Sequence, residues 1–496
     1  MIRLDSEQRV DVLRQVALLQ EREIRTLHQR IEQLTSENVR LRGGDAAALQ
    51  LELEQLRELL ARREQALFGE SSEKRPQPRP EAPASAESQP QRGHGPQAQP
   101  QLPQIERLYE LPESARECPQ CGGQMRPLGD QCEESEEITV VQRRYVLVRQ
   151  RRQKYRCQCN ASVVTAPGPR KLISGGRYSP EFAVEVAIGK YADHLPLERQ
   201  ARIMEREGLS VGSQTLWDQI DALAHHLQPS YEAIGSQVLS APLVQADETY
   251  WRLMDSEESS RWWVWCLTSG EAVIYRLCNS RSTKAARGVL CGYRGIVTSD
   301  GYSVYEALAR DGPGFQLAHC WAHVRRKFVE IEANYPKPCG EILDWIGELY
   351  AIEREAPVGA PETAERRAQL RRERSRPVVE QIRRWAESQS ALPRSGLGRA
   401  IEYMLGLWKG LTRFLDDPQI PLDTNGVERA LRGVVVGRKN HYGSRSRRGT
   451  EVAALFYTLC ESAKLAGVEP RSYLLAAVHA AIDTPGTATL PQQLLD

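Results

Sequence analysis

The chain has 496 residues, enough for several domains and at least one large core. Its 66 Lys and Arg against 65 Asp and Glu leave a formal charge of +1, which excludes attraction to nucleic acid through an overall field and confines it to local patches. The 11 cysteines are an odd number, the opening stretch MIRLDSEQRVDVLRQ lacks the basic-then-apolar order of a secretory signal, and no apolar run approaches the ~20 residues that span a bilayer, so a cytoplasmic protein with reduced thiols and no membrane partner is expected.

Ile24, Leu27, Ile31, Leu34, Asn38 and Leu41 are spaced alternately three and four apart, the a/d repeat of a coiled coil. Asn38 falls at an a position, where a lone Asn selects a parallel dimer in one register. A second stripe, Leu49, Leu53, Leu56, Leu60 and Leu67, follows Gly43-Gly44. Residues 1–68 therefore read as a leucine-zipper-like, self-associating segment, against the alternative of an amphipathic helix folded onto its own chain. Residues 69–103 are rich in Pro, Gln, Ser and Ala and carry too little apolar bulk to repay the entropy of ordering, which makes them a disordered linker.

Over 104–170, Cys118-Pro-Gln-Cys121 and Cys157-Gln-Cys159 offer four thiolates for a structural Zn²⁺, with Cys132 as a substitute ligand. A zinc-ribbon-like β module is expected, against a loop of free thiols. Between the pairs, Gln142 to Arg156 holds seven Arg or Lys and no acid in an alternating pattern, either a solvated strand face or a surface for phosphates. From 178 to 235, Pro180 and Pro196 each open a helix, and the turn GLSVGS leads into SQTLWDQIDALAHHL. This is helix-turn-helix spacing, and a plain helical hairpin has the same spacing. In the DNA-binding form the start of the second helix reads bases, which nominates Ser213, Gln214, Thr215 and Asp218.

After Ser240 the period changes. Leu243 to Trp251, Arg261 to Thr268 and Ala272 to Leu277 read as a three-strand meander; a helix from Ser282 to Cys291, a strand from Gly295 to Ser299, a further helix and a strand from Phe315 to Ala318 follow. That order is the order of a ribonuclease-H-like fold, in which the first and fourth strands are neighbours. Asp247 on the first and Asp300 at the end of the fourth would then meet, and with a third carboxylate they offer hard oxygen ligands suited to Mg²⁺. Two such ions activate a hydroxyl and stabilise the leaving oxygen of an in-line phosphoryl transfer. Period two sets Asp247 beside Gln245 and Thr249, with Leu243 and Trp251, on the face suited to an open cleft. Glu248 shares the other face with Val244, Ala246 and Tyr250, where an ion pair or hydrogen bond suits it better than a metal.

Asp344 to Trp408 is helical and basic and reads as an insertion over 340–419. The core resumes at 420–450, where Glu428 opens a helix within a stretch, Asn425 to Gly449, of seven Arg or Lys and one acid. Such an acid has either a salt bridge or a metal to serve. The remainder, 451–496, reads as helical. Cationic candidates for DNA phosphates are Arg325, Arg326 and Lys327 on one helix and Arg438, Lys439, Arg445, Arg447 and Arg448 in what reads as a Gly- and Ser-rich loop. His319, Cys320 and His323 (HCWAHVRRKF) have the softness of metal ligands, and a packed helix start explains them equally well.

The segments ADETYW, SDGYSVY, HCWAHVRRKF, NGVERALRGVVVGRKN and CESAKLAGVEPRSYL, in this order, resemble the signatures of the insertion sequence sixty-six family of DDE transposases, over nearly the whole chain. The resemblance implies a catalytic triad on Asp247, Asp300 and Glu428, cleavage of double-stranded DNA at transposon ends and attack of the freed 3′-hydroxyl on target DNA. It implies Mg²⁺, with Mn²⁺ as a substitute, a homodimer or larger assembly on DNA in a bacterial nucleoid, and companion proteins of the same element. It marks Cys320 and His323 as characteristic without giving their role. Two features depart from the family pattern: Asn425-Gly426 replaces paired asparagines, and the second cysteine pair is CxC. The fold class expected is multidomain α+β: coiled coil, zinc-ribbon-like module, helix-turn-helix and ribonuclease-H-like core with a helical insertion. Two other classes fit parts of the pattern, a catalytically inactive end-binding repressor and a zinc-stabilised scaffold whose acids are structural.

Overall fold

The computed structural model describes residues 145–156, 163–254, 261–290, 292–310, 314–358, 363–392 and 394–495, with the turn at 119–122 and isolated positions in the first 56 residues. The coiled-coil and linker assignments, and Cys118, Cys132, Cys157 and Cys159, lie outside these residues. Residues 74–144 form a unit of their own, in whose described turn Cys121 is exposed and outside any disulfide.

In the larger unit two short exposed strands, β1 (Lys154–Arg156) and β2 (Val163–Thr165), pair antiparallel with Tyr155 opposite Val164. Pro180 opens α1 (Pro180–Tyr191), capped by Ser179, whose Oγ accepts the Phe182 N–H at 3.3 Å. Pro196 precedes α2 (Leu197–Arg206), and the left-handed Gly208, φ 89°, turns the chain toward α3 (Ser213–Ser240). The helix that follows the GLSVGS turn is longer than its opening pattern suggests. It runs 28 residues, through Pro229, because Leu216, Ile220, Leu223, Leu227, Ile234 and Val238 continue one buried stripe to its end. That stripe belongs to the same apolar cluster as the strands that follow, so α1 to α3 share their core with the sheet.

The sheet has five strands: β3 (Leu243–Arg252), β4 (Arg261–Thr268), β5 (Val273–Cys278), β6 (Ile296–Ser299) and β7 (Gln316–His319). Their order is β5-β4-β3-β6-β7, with β3, β4 and β5 antiparallel and β6 and β7 parallel to β3 and to each other. Helix α4 (Thr283–Leu290) connects β5 to β6, and α5 (Ser303–Arg310) connects β6 to β7. The first and fourth strands of the sheet are thus neighbours, Gln245 standing opposite Thr298 and, across the other edge of β3, Asp247 opposite Cys266. β4 is buried on both faces from Val264 to Thr268, which accounts for the unbroken apolar run WVWCLT in place of alternation.

Beyond β7 come α6 (Trp321–Val329), α7 (Pro336–Arg354), α8 (Ala364–Leu370), a π-helical turn at Arg371–Ser375, α9 (Arg376–Ser388), α10 (Gly396–Gly406) and α11 (Trp408–Leu411). They bury a second apolar cluster around Trp321, Phe328, Ile346, Ile382 and Met404. Arg371, fully buried, pairs with Glu353 at 2.6 Å and donates to the carbonyls of Phe414, Asp417 and Ile420. The helical region is thereby tied to the segment that returns to the sheet. There α12 (Asn425–His441) packs on β3 and β4, and α13 (Arg447–Leu465) runs along β5. Thr458 Oγ1 and Ser462 Oγ accept the N–H groups of Tyr275 and Val273 at 3.0 and 3.1 Å, so side chains of α13 close the β5 edge against further pairing. Helix α14 (Pro470–Asp483) packs against α1 and α3. No helix among the described residues is long and apolar enough to cross a membrane.

Candidate active site

Alternation along β3 holds from Leu243 to Glu248: Val244, Ala246 and Glu248 are buried, Gln245 and Asp247 half-buried. It slips at Tyr250, and Trp251 is buried where the sequence pattern sets it on the open face. The cause is a local partner: Ser444 pairs with Leu253 beside the strand end, and Trp251 Nε1 donates to Ser444 Oγ at 3.2 Å. Glu248 makes the ion pair that its apolar face calls for. Its Oε1 accepts from Arg281 Nε at 2.7 Å and its Oε2 from Tyr305 OH at 2.8 Å.

Asp300 follows the last residue of β6. Its Oδ1 accepts the Tyr302 N–H at 2.9 Å and its carbonyl accepts Tyr403 OH at 2.6 Å. Between them Gly301 has φ 92°, and a Cβ there would lie 2.6 Å from Leu407 Cδ1, so only glycine fits the turn.

Glu428 lies on the first turn of α12, and four hydrogen bonds fix that turn and the segment before it. Gln245 Oε1 accepts the Val427 N–H at 3.0 Å while its Nε2 donates to the Asp423 carbonyl at 3.4 Å, so a β3 side chain serves as the helix's N-terminal acceptor. Cys320 Sγ accepts the Thr424 N–H at 3.3 Å, and the Trp321 N–H donates to the Leu422 carbonyl at 3.0 Å. The role of Cys320 is therefore a buried acceptor that joins the end of β7 to the Glu428 segment. Gly426 also gains a reason: a Cβ there would sit 2.6 Å from Gln245 Oε1.

The neighbouring acids act on Asp247. Burial pushes the Asp247 carboxyl up to about 7, and the charges of Glu248, Asp300 and Glu428 push it the same way, opposed by the hydrogen bond from the Glu248 N–H at 2.8 Å. Glu248 is also raised, by burial first, with Tyr305 and Arg281 acting against it. His323 Nε2 lies 3.6 Å from Glu428 Oε1, and His319 Nε2 lies 3.9 Å from Glu306 Oε1. Burial lowers both imidazoles, His319 to about 4, against the pull of Asp300, so near neutral pH each is an uncharged neighbour of the acids.

Carboxylate oxygens are the hard donors that divalent cations such as Mg²⁺ take. Among the described residues, no group of three or more His, Cys, Asp or Glu is arranged to hold a metal ion. The acids are neighbours in charge and have not converged on a common point.

The DNA candidates fall at several places. Gln214 is exposed and bonded to Asp218 at 2.9 Å, and Thr215 is half-buried, both in the first turn of α3. Arg325 and Arg326 are half-buried and Lys327 exposed on α6, its ammonium 5.7 Å from the Tyr403 ring centre. The expected cationic loop is mostly helix. Arg438 and Lys439 end α12, Arg447 and Arg448 begin α13 behind the Ser446 cap, and of the five only Arg445 lies in the connection. The left-handed Tyr442, φ 62°, makes the turn so short. Arg438 is turned inward to the Tyr250 carbonyl and to Thr249 Oγ1 at 3.3 Å, and Arg448 pairs with Asp221 at 2.7 Å; Lys439 and Arg445 are exposed.

Gln245 and Arg281 were not marked by any motif. Alternation puts Gln245 on the face of Asp247, which is the one signal that could have found it; nothing in the sequence joins Arg281 to Glu248.

Residues 175–452 match the family model described as Transposase IS66 family. The chain is 33% identical over 411 residues to the uncharacterized protein y4jD of Sinorhizobium fredii, covering 79% of each chain. It is 29% identical over 411 residues to y4hP of the same organism, covering 77% of this chain and 74% of that one, and 31% identical over 392 residues to y4qI, covering 75% and 71%.

Proposed function

The chain belongs to the IS66 family of transposases, and from that premise we propose that it is a DNA transposase whose reaction is carried by Asp247, Asp300 and Glu428. The observation that supports this most is electrostatic: Asp247 on β3 feels the charges of Asp300 beyond β6 and of Glu428 on α12. Asp247, Asp300 and Glu428 come from three distant stretches of chain: the middle of β3, the residue after β6 and the first turn of α12. The strand order supports a ribonuclease-H-like core interrupted by the α7–α11 region. In this reading the three carboxylates hold Mg²⁺, two ions in the full complex, with Mn²⁺ as a substitute. Bound there, the metal supplies Lewis-acid activation of the attacking oxygen and neutralises charge on the phosphate.

The chain's own residues position and exclude. Gln245 and Cys320 hold the Glu428 turn against the sheet, Tyr302 and Tyr403 hold Asp300, and Arg281 keeps Glu248 occupied. In the first step water adds to the phosphorus at a transposon end and the P–O3′ bond breaks, leaving a 3′-hydroxyl. In the second that hydroxyl adds to a target phosphorus, which releases its own 3′-oxygen, so the number of phosphodiester bonds is conserved. Double-stranded DNA is bound through Gln214 and Thr215 on α3 and through Arg325, Arg326, Lys327, Arg438, Lys439, Arg445, Arg447 and Arg448. The zinc-ribbon-like module on Cys118, Cys121, Cys157 and Cys159, the dimerising coiled coil of residues 1–68, nucleoid association and companion proteins of the element complete the proposal.

The test uses the full chain with duplex DNA carrying the inverted repeats that flank its coding sequence. Mg²⁺ should support nicking and strand joining, and Asp247→Ala, Asp300→Ala or Glu428→Ala should bind the duplex and leave it intact. Wild-type protein that binds the ends without ever cutting them favours the end-binding repressor instead.

A further inference from the structure

Arg281 lies outside the triad and outside every basic cluster considered for DNA, in the connection between β5 and α4. Strand register carries it to the catalytic end of the sheet: Cys278, the last residue of β5, stands across from Trp263, which stands across from Tyr250 on β3. There the guanidinium meets both halves of the acid cluster. Toward β3 its Nε and Nη2 reach Glu248 Oε1 at 2.7 and 2.6 Å, and that carboxylate has no exposed surface. Toward β6 the guanidinium carbon lies 3.9 Å from the centre of the Tyr302 ring, and on the β4 side it lies 5.0 Å from that of Trp263. The Tyr302 hydroxyl donates to the Arg281 carbonyl at 2.9 Å, and the Tyr302 N–H holds Asp300 Oδ1.

Glu248 is the fourth acid in the cluster and the immediate neighbour of Asp247. A buried carboxylate there is tolerable because it is paired and hydrogen-bonded on both oxygens. The Arg281 side chain is nonetheless 36% accessible, so its pairing with Glu248 leaves part of it open to solvent. A guanidinium has five N–H donors in a planar fork, so two held by a carboxylate leave others for phosphate oxygen, which a lysine ammonium would meet only as a point charge.

We propose that Arg281 is a positioning residue for the transposase reaction: it holds Glu248 and the Asp300–Tyr302 turn in register and presents its open edge to a DNA phosphate flanking the scissile bond. The proposal rests on the reading of Asp247, Asp300 and Glu428 as the reacting set.

The experiment compares wild type, Arg281→Gln, Glu248→Gln and the double variant, all full-length, on the duplex bearing the flanking inverted repeats. Thermal unfolding checks folding, the salt dependence of binding reads the phosphate contact, and single-turnover cleavage reads positioning. Arg281→Gln should lower the salt slope by about one and slow saturated cleavage roughly 10- to 100-fold, since it leaves a buried charge beside Asp247. The double variant has no unpaired carboxylate; it should regain most of the cleavage rate while keeping the lowered slope. That split, rate restored and slope not, is what a merely structural arginine would not give. If Arg281→Gln does not fold, the slope and rate of the double variant carry the comparison. An unchanged slope, or a double variant that cleaves no faster than Arg281→Gln, overturns the proposal. Wild-type protein that binds this duplex and cleaves it in neither Mg²⁺ nor Mn²⁺ instead overturns the reaction assigned above, and the salt slope still decides the Arg281 contact.

Discussion

Replacing Asp247 by Asn should stabilise the metal-free protein at neutral and alkaline pH. Holding a carboxyl at about 7 instead of its ordinary 3.8 corresponds to about 4 kcal/mol against the ionised form, an upper bound on what burial and the neighbouring acids cost the fold. Below pH about 4 the group is protonated in folded and unfolded chains alike. As pH rises toward 7 the unfolded chain gives up its proton while the folded chain keeps it, so stability falls; above about 7 the loss is complete. About 3 kcal/mol of it lies between pH 5 and pH 8. Asn keeps an oxygen that can accept the Glu248 N–H and removes the charge, so the difference between the two proteins reads Asp247 together with its coupling to the neighbouring acids. Urea unfolding in chelator, followed by tryptophan fluorescence, should show wild type losing more stability than Asp247→Asn from pH 5 to pH 8, with Mg²⁺ narrowing the gap at pH 8. Parallel pH curves for the two proteins would refute the crowding of charge on which the site rests.

Three further outcomes follow from the same contacts. Gln245→Leu removes the acceptor for Val427 and the donor to Asp423, and should cost about 1 to 2 kcal/mol while slowing cleavage more than it weakens DNA binding; equal effects on both would mean that the Glu428 turn is held elsewhere. Gly426→Asn, which restores the paired asparagines of the family pattern, should displace the Gln245 amide and mimic Gln245→Leu, and the two changes together should be less than additive in a double-variant unfolding comparison. Arg371→Met strands Glu353 and three carbonyls in the interior and should cost about 3 to 5 kcal/mol by urea unfolding; an unchanged midpoint would contradict the clamp on the 414–420 segment.

The sheet was legible because its strands are bounded by turns, with period two along the first part of β3 and an unbroken apolar run in β4. The strand read as Arg261 to Thr268 has those bounds, and the others shift by a residue or two. The pairing of β3 with β6 followed from strand order alone. What the sequence hid were contacts between distant segments. Gln245 lies 182 positions from Val427, and Arg281 33 from Glu248, separations that no local pattern marks. The length of α3 escaped because Pro229 and the mixed residues near it obscure a stripe that only the buried face of the helix makes continuous. The cations around residue 440 were misplaced for a related reason: Gly and Ser suggest a loop, while the helix before them runs on to His441 and Ser446 caps the next one.

The central claim, that Asp247, Asp300 and Glu428 serve a metal ion at the phosphate being broken, is met most directly at the scissile bond itself. An end duplex with a sulfur in place of one non-bridging oxygen of the scissile phosphate should be cut much more slowly than the ordinary duplex in Mg²⁺, with Mn²⁺ restoring the rate for one of the two stereoisomers. Equal cleavage of both stereoisomers and the ordinary duplex in Mg²⁺, or cleavage that persists in Glu428→Gln, would contradict it.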